Sequence, residues 1–383
     1  FRYDELGNKD IKASIDIQKF NFDDLTFFIP GLGFLDSTVS VKLDAEGKYG
    51  DLNARVLNAN LKNTRLSFSG NIKNLQMPES LYFDITGKDL VIDPAEINSV
   101  YLEELPVPKQ TGIINGDINY KGTYYVFSSD FRFNSAAGTA EGRLNLDLPN
   151  EIYSGEIFTY GLNTGAVLSN RELNGYLNLS AKFSGKGFDI NRMNTNMEYS
   201  IVNSKIGRYD ITRSGGRLKN INGNIKLNVM HTSGMGNAEI AGSMNIRNIS
   251  NPTYDLSGKI RGADISAITG AASDKSSINA DFKINGSGIS PGSMNGTYIV
   301  KLDESTYGGY YLPGTQVDAE LRNTGSQSNI KISSEAADIS AEGSLNFDEL
   351  IDAVLYNIDH LNKQITQSIE NNNQVNERLD IIN

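Results

Sequence analysis

The chain has 383 residues, 39% of them apolar, with 37 Gly, 18 Tyr and neither Cys nor Trp. Without Cys there is no disulfide, no thiol nucleophile and no Cys-ligated zinc, and a net charge of −11 offers nucleic-acid phosphates no basic face. No run nears the ~18–20 consecutive apolar residues of a membrane-spanning helix. The sequence opens on Phe1 without a charged n-region or an apolar h-region, so any signal or anchor is expected outside the stretch shown.

Residues 1–38 read as an opening strand and loop, after which apolar and polar residues alternate with period two. Leu66, Phe68, Gly70 and Ile72 interleave with Ser67, Ser69 and Asn71; Leu177, Leu179, Ala181 and Phe183 with Asn178, Ser180 and Lys182. Ile225, Leu227 and Val229 flank Lys226 and Asn228, and Ile240, Gly242, Met244 and Ile246 interleave with Glu239, Ser243 and Asn245. Successive strand side chains point to opposite faces, so each segment has one apolar and one wet face, an antiparallel signature. Ala45-Glu46-Gly47, Asn115-Gly116, Gly185-Lys186-Gly187, Ser214-Gly215-Gly216, Asn222-Gly223 and Asn285-Gly286 read as hairpin turns between strands, since Gly and Asn tolerate positive φ. A meander of hairpins is expected, in one β-repeat section over 39–170 and another over 171–346.

Two internal repeats support this organisation. The segment 66–92 resembles 238–265: Gly70 answers Gly242, Phe83-Asp84 answers Tyr254-Asp255, and Gly87-Lys88 answers Gly258-Lys259. Each copy leads into a short helix. Asp93-Pro94-Ala95-Glu96 supplies an N-cap, a Pro at the first helical position and a capping-box Glu for a helix near 94–105, with Asp264-Ile265-Ser266-Ala267-Ile268 as a weaker counterpart. The second repeat has an offset of 101 residues, placing Gly185-Lys186-Gly187 on Gly286-Ser287-Gly288 and Ser204–Tyr209 on Ser305–Tyr310 without insertion or deletion. From Phe347 to Asn383 the period changes. Ile351, Val354, Ile358, Leu361, Ile365, Ser368, Asn372, Val375, Leu379 and Ile382 step by three and four, with polar Ser368 and Asn372 in the middle, the pattern of a long amphipathic helix that packs on the sheet or meets a helical partner.

Catalytic chemistry is sparse. His231 and His360 have no ligand partner at i+4, no phosphate-cradling or nucleophile-elbow motif appears, and no cofactor site is indicated. The carboxylate pairs Asp23-Asp24 and Glu103-Glu104 leave a glycosidase-type acid/base pair only as a formal alternative. A one-sided sheet has to hide its apolar face in a sandwich, by closing into a barrel, or against an apolar ligand, and periodicity alone leaves all three open.

The stretches LNLSAKFSGKGFDINRMNTNMEYSIVNSKIGRYDIT, GNIKLNV and AEIAGSMNIRNISNPTYDLSGKIRGADISAI resemble the AsmA-like family, in its TamB branch. The likeness covers about residues 40–346 and lies in glycine-punctuated strands and repeated hairpins. It implies a mainly β fold, a long antiparallel sheet curled into an open groove. It further implies a periplasmic, bridge-like lipid-transfer protein, anchored in the inner membrane by a segment outside this chain. The family's partners would be phospholipids and an outer-membrane barrel of the assembly-factor type. On that reading the groove lining comprises Leu66, Phe68, Ile72, Leu177, Leu179, Phe183, Met197, Tyr199, Ile201, Ile225, Leu227, Val229, Met244 and Ile246. A β-repeat adhesion module of the cell surface, or an outer-membrane assembly factor that carries no lipid, are the alternatives.

Overall fold

The computed structural model describes residues 9–21, 38–48, 50–75, 77–100, 109–290, 293–324, 327–335 and 337–344. The expected helix over 347–383 and the carboxylate pairs Asp23-Asp24 and Glu103-Glu104 lie outside these residues. The alternating segments form strands throughout. The first section comprises β1 (Asp10–Asn21), β2 (Thr38–Lys48), β3 (Asp51–Asn60), β4 (Arg65–Lys73), β5 (Tyr82–Ile92), β6 (Ile114–Thr123), β7 (Val126–Ser135) and β8 (Gly138–Asp147). Next come β9 (Ile152–Leu162), β10 (Gly175–Lys186), β11 (Asn194–Ile206), β12 (Tyr209–Ile221), β13 (Asn224–Ser233) and β14 (Gly236–Asn245). The chain continues through β15 (Thr253–Ala263), β16 (Ser276–Ser287), β17 (Asn295–Leu302), β18 (Ser305–Tyr307), β19 (Tyr310–Leu312), β20 (Thr315–Asn323), β21 (Ser328–Ser334) and β22 (Asp338–Gly343).

Each strand pairs antiparallel with its neighbours in chain order, giving one 22-stranded sheet. Among the described residues the only detour is the short hairpin β18–β19, which rides on the start of β16 while β17 pairs directly with β20. The first and last described strands do not pair, so the sheet is open and no barrel closes. Three short helices interrupt the meander, α1 (Pro94–Val100), α2 (Thr164–Leu168) and α3 (Ile265–Thr269), after β5, β9 and β15. Those strands run the same way, so the helices share one long rim.

The 101-residue repeat is structural as well as sequential. β10 and β16 begin at residues 175 and 276, β11 and β17 at 194 and 295, β12 and β19 at 209 and 310. The joints match bond for bond. The Asn178 N–H donates to the Ser204 hydroxyl at 2.9 Å, and its side-chain amide donates to the Asn203 carbonyl at 2.7 Å. Asn279 repeats this with Ser305 and the Glu304 carbonyl at 2.9 and 2.8 Å. The side-chain oxygens of Asn178 and Asn279 accept from the bulge amides of Gly161 and Gly262 at 2.8 and 2.9 Å, where φ is +60° and +64°. Ser204 and Ser305 are buried because they satisfy a backbone donor that the bulge frees from the ladder.

Several sequence expectations need correction. Gly47, Gly116, Gly185, Gly215, Gly216 and Gly286 lie inside β2, β6, β10, β12 and β16 rather than in turns, and of the expected turns only Asn222-Gly223 forms a two-residue hairpin, with φ of 52° and 79°. In-strand glycines open space for rings on adjacent strands. The capping box at α1 is also replaced. The Asp93 carboxylate caps by accepting from the Ala95 N–H at 3.0 Å, and the Asn63 amide beside it holds its carboxyl below the ordinary aspartate range. Glu96 turns outward from the helix instead, accepting from the backbone N–H groups of Lys62, Asn63 and Thr64 at 2.8, 3.1 and 2.7 Å and fastening α1 to the β3–β4 turn. The α3 cap is as expected, with Asp264 accepting from Ser266 and Gly270 closing the helix in the left-handed conformation.

The matched joints generate a prediction. Excising residues 152–252 brings β8 onto β15 in the register that β14 holds now, and removes six strands. The shortened chain should fold, with unchanged far-ultraviolet strand signal per residue and a cooperative unfolding transition. A deletion five residues longer, 152–257, also removes nearly half of β15 and should unfold at a clearly lower midpoint.

Candidate functional site

Register divides the sheet into two chemically distinct faces. One contiguous row runs Leu144–Gly155–Phe183–Met197–Leu218–Leu227–Gly242–Leu256–Ile284–Tyr298 across ten strands. Parallel rows on the same face include Leu179–Ile201, Ala181–Tyr199, Val229–Ile240, Ile225–Met244, Leu57–Phe68 and Ile72–Phe83. None of the register pairs on this face contains Asp, Glu, Lys or Arg.

Thirteen of the fourteen sequence-nominated lining residues fall within strands, and alternation brings them to this face. Ile246 sits one residue past β14, its N–H still donating to the Gly223 carbonyl at 2.9 Å. All fourteen are half-buried. Nomination missed an aromatic stretch on the same face over β5–β9. Phe83 meets Tyr120 edge-on at 6.3 Å, Tyr120 stacks on Phe127 at 4.9 Å, Phe131 stacks on Phe133 at 5.7 Å and Tyr153 stacks on Phe188 at 5.8 Å. The alternation Phe131-Arg132-Phe133 carried that signal, but the neighbouring Asn115-Gly116 read as a turn and hid it.

Rings lie directly over glycines on adjacent strands. A Cβ on Gly155 would stand 2.8 Å from Phe183 Cζ, on Gly258 2.7 Å from Phe282 Cζ, and on Gly87 2.7 Å from Phe68 Cε1. This lays the aromatics flat and makes the face smooth rather than knobbed. Water is partly excluded from it: burial raises the Tyr298 hydroxyl above the ordinary tyrosine range, helped by its hydrogen bond with the Tyr254 hydroxyl at 2.8 Å, and burial raises Tyr120 as well.

No layer of the described structure covers this face. Among the described residues, apart from alanines and the prolines Pro94 and Pro252, only Val39, Leu90, Leu321 and Ile330 are buried apolar side chains, whereas a packed sandwich buries whole rows from both sheets. Every substantial contact runs between ladder neighbours or between a short helix and its rim.

Other site chemistries find little support among the described residues. No cluster of three or more His, Asp or Glu has metal-ligand geometry, and no helix is long and apolar enough to cross a membrane. His231 lies half-buried on the apolar face opposite Ser214 and Ala238, and His360 lies outside the described residues. No family model, curated protein or solved structure matches the chain.

The ring-over-glycine packing predicts an asymmetry. Gly155→Ala or Gly258→Ala should destabilise the sheet by about 1–3 kcal/mol through overpacking against the Arg143 or Glu239 carbonyl and the ring of Phe183 or Phe282. Gly234→Ala, in a turn with open space around it, should be near neutral. Denaturant midpoints of the three variants check this.

Proposed function

We propose that this chain is a section of a bridge-like lipid-transfer protein, in which acyl chains lie against the apolar face. The observation that carries the proposal is the combination of extent and exposure: a charge-free apolar face continuous across the sheet and left half-exposed. An apolar surface of that size is unstable in water unless something apolar lies on it, because contiguous exposed patches on soluble proteins are ordinarily limited to a few hundred Å². Acyl chains fit its chemistry, each buried methylene contributing about 0.8 kcal/mol.

The half-pipe shape belongs to the proposal too. Open twisted sheets beyond about ten strands curl, split or flatten, and curling with the apolar side inward shields the most surface. A lining of similar rows repeated strand after strand gives a chain many near-equal positions and no deep well, which favours sliding. Met197 and Met244 suit such a wall, since thioether side chains adapt to varied contacts. The resemblance to the TamB branch supports a periplasmic setting between two membranes, an inner-membrane anchor outside this chain, and phospholipid as the cargo. The same resemblance supports a barrel partner of the assembly-factor type.

A photo-crosslinking amino acid placed at Leu179 or Leu227 should capture phospholipid in cells, while the same group at Glu198 or Asn228, on the opposite face, should capture at least ten-fold less. Equal capture from both faces, or none from either, overturns the reading. In a reconstituted transfer assay Leu227→Asp should abolish lipid passage with the sheet still folded by circular dichroism, because a charge on this face faces acyl chains without a partner.

A further inference from the structure

The charged face obeys a rule with one exception. Along the ladder, charged residues directly opposite one another carry unlike signs: Asp10 faces Lys48, Asp51 faces Lys73, and Asp84 faces Lys121. The longest run reads Asp130–Arg143–Glu156–Lys182–Glu198–Arg217, alternating sign at every strand, with ion pairs of 2.6 Å at Arg143–Asp130 and 3.2 Å at Arg217–Glu198. Farther along, Glu239–Lys259–Asp281–Lys301 does the same. Among the described residues the sole like-charged pair is Lys219 on β12 opposite Lys226 on β13.

Like charges directly opposite are destabilising, so a pair kept against the rule of the whole sheet asks for a counter-charge. Neither ammonium has a carboxylate within ion-pair distance among the described residues, and the register neighbours are Asn196 beside Lys219 and Ser243 beside Lys226, both neutral. The pair is not a requirement of the repeated unit: 101 residues after Lys219 stands Glu320, opposite Lys331. It lies in a cleft of about 940 Å³ on the charged face, lined also by Arg143, Lys182 and Arg217 against Glu156 and Glu198; Asp130, outside the lining, pairs with Arg143, so the two lysines are the excess. The surplus is positive although the chain as a whole carries −11.

We infer that Lys219 and Lys226 form a binding site for a phosphate group, on the face opposite the apolar one. Opposed side chains start about 5 Å apart at Cβ, close enough for both ammonium groups to meet one anion. Asn196 and Ser184 add neutral donors along the same row. A phosphate, with several acceptor oxygens and up to two negative charges, satisfies both lysines at once and converts their repulsion into charge-assisted hydrogen bonds. The phosphate could be free or borne by a lipid headgroup presented from outside the conduit, and the inference stands apart from the lipid-transfer reading.

The test uses the full chain in sodium phosphate and in sodium chloride of equal ionic strength. Phosphate should raise the thermal midpoint, as a ligand specific for the folded state does. Lys226→Glu, which makes an unlike pair with Lys219, should raise the midpoint in chloride and remove the phosphate response. Lys283→Gln, an isolated lysine facing Ser257 and Ile299, should leave that response intact. Co-sedimentation with phosphatidylcholine vesicles, with and without phosphatidic acid, separates the sources. Binding only with phosphatidic acid, reduced at least ten-fold by Lys226→Glu, assigns a headgroup; a phosphate response without vesicle binding assigns a free phosphate. Equal midpoints in the two salts, or a response that Lys226→Glu keeps or Lys283→Gln loses, overturn the inference. Acyl-chain capture on the other face is read independently, so either result leaves the other standing.

Discussion

Alternation along the strands gathers most apolar side chains on one side of the sheet and keeps Asp, Glu, Lys and Arg on the other, and the rest of this molecule follows from that segregation. In most β proteins the apolar side is answered by a second sheet or by closure. Here the described chain supplies neither, and the half-buried state of residues such as Phe183, Met197 and Leu227 is the direct consequence. Stability therefore comes mainly from the ladder itself. Cross-strand ion pairs on the wet face and rings over glycines on the dry face both act between nearest neighbours. A sheet held by nearest-neighbour terms has no intrinsic length, as in other repeat architectures.

Repetition at 101 residues shows how such a sheet is extended. The unit from β9 to β14 and the one from β15 to β22 share strand boundaries and the hydrogen bonds that bend the chain into the next strand. What is repeated with greatest fidelity is a joint: Ser204 with Asn178, Ser305 with Asn279, and the bulge glycines Gly161 and Gly262. The charges are freer to vary, as Lys219 and Glu320 illustrate. The scaffold is constrained at its hinges and permissive on its wet surface, which leaves room for a local binding site on that surface.

Much of this was legible in the sequence, for a physical reason. Period-two alternation maps onto one face without any knowledge of neighbours, so the lining nominated from Leu66 to Ile246 assembled as a set. Glycine was the misleading residue. Asn115-Gly116 and Asn285-Gly286 have the chemistry of tight turns, yet both lie within strands, Gly116 opposite Phe133 and Gly286 opposite Tyr254. Whether a glycine turns the chain or makes room for a ring depends on the strand beside it, which local sequence does not reveal. Glu96 shows the same limit: its spacing from Asp93 suits a capping box, but the three unpaired backbone donors of the β3–β4 turn compete for its carboxylate and win. The like-charged pair on the wet face follows from a turn that did read correctly, since the two-residue Asn222-Gly223 hairpin sets Lys219 opposite Lys226.

The central claim is that the apolar face is a surface for acyl chains rather than an unfinished protein core. Native mass spectrometry of the chain purified without detergent tests it most directly. The account predicts several phospholipid masses per chain, retained through dilution and released together on unfolding. A lipid-free chain that stays monomeric and folded would contradict it.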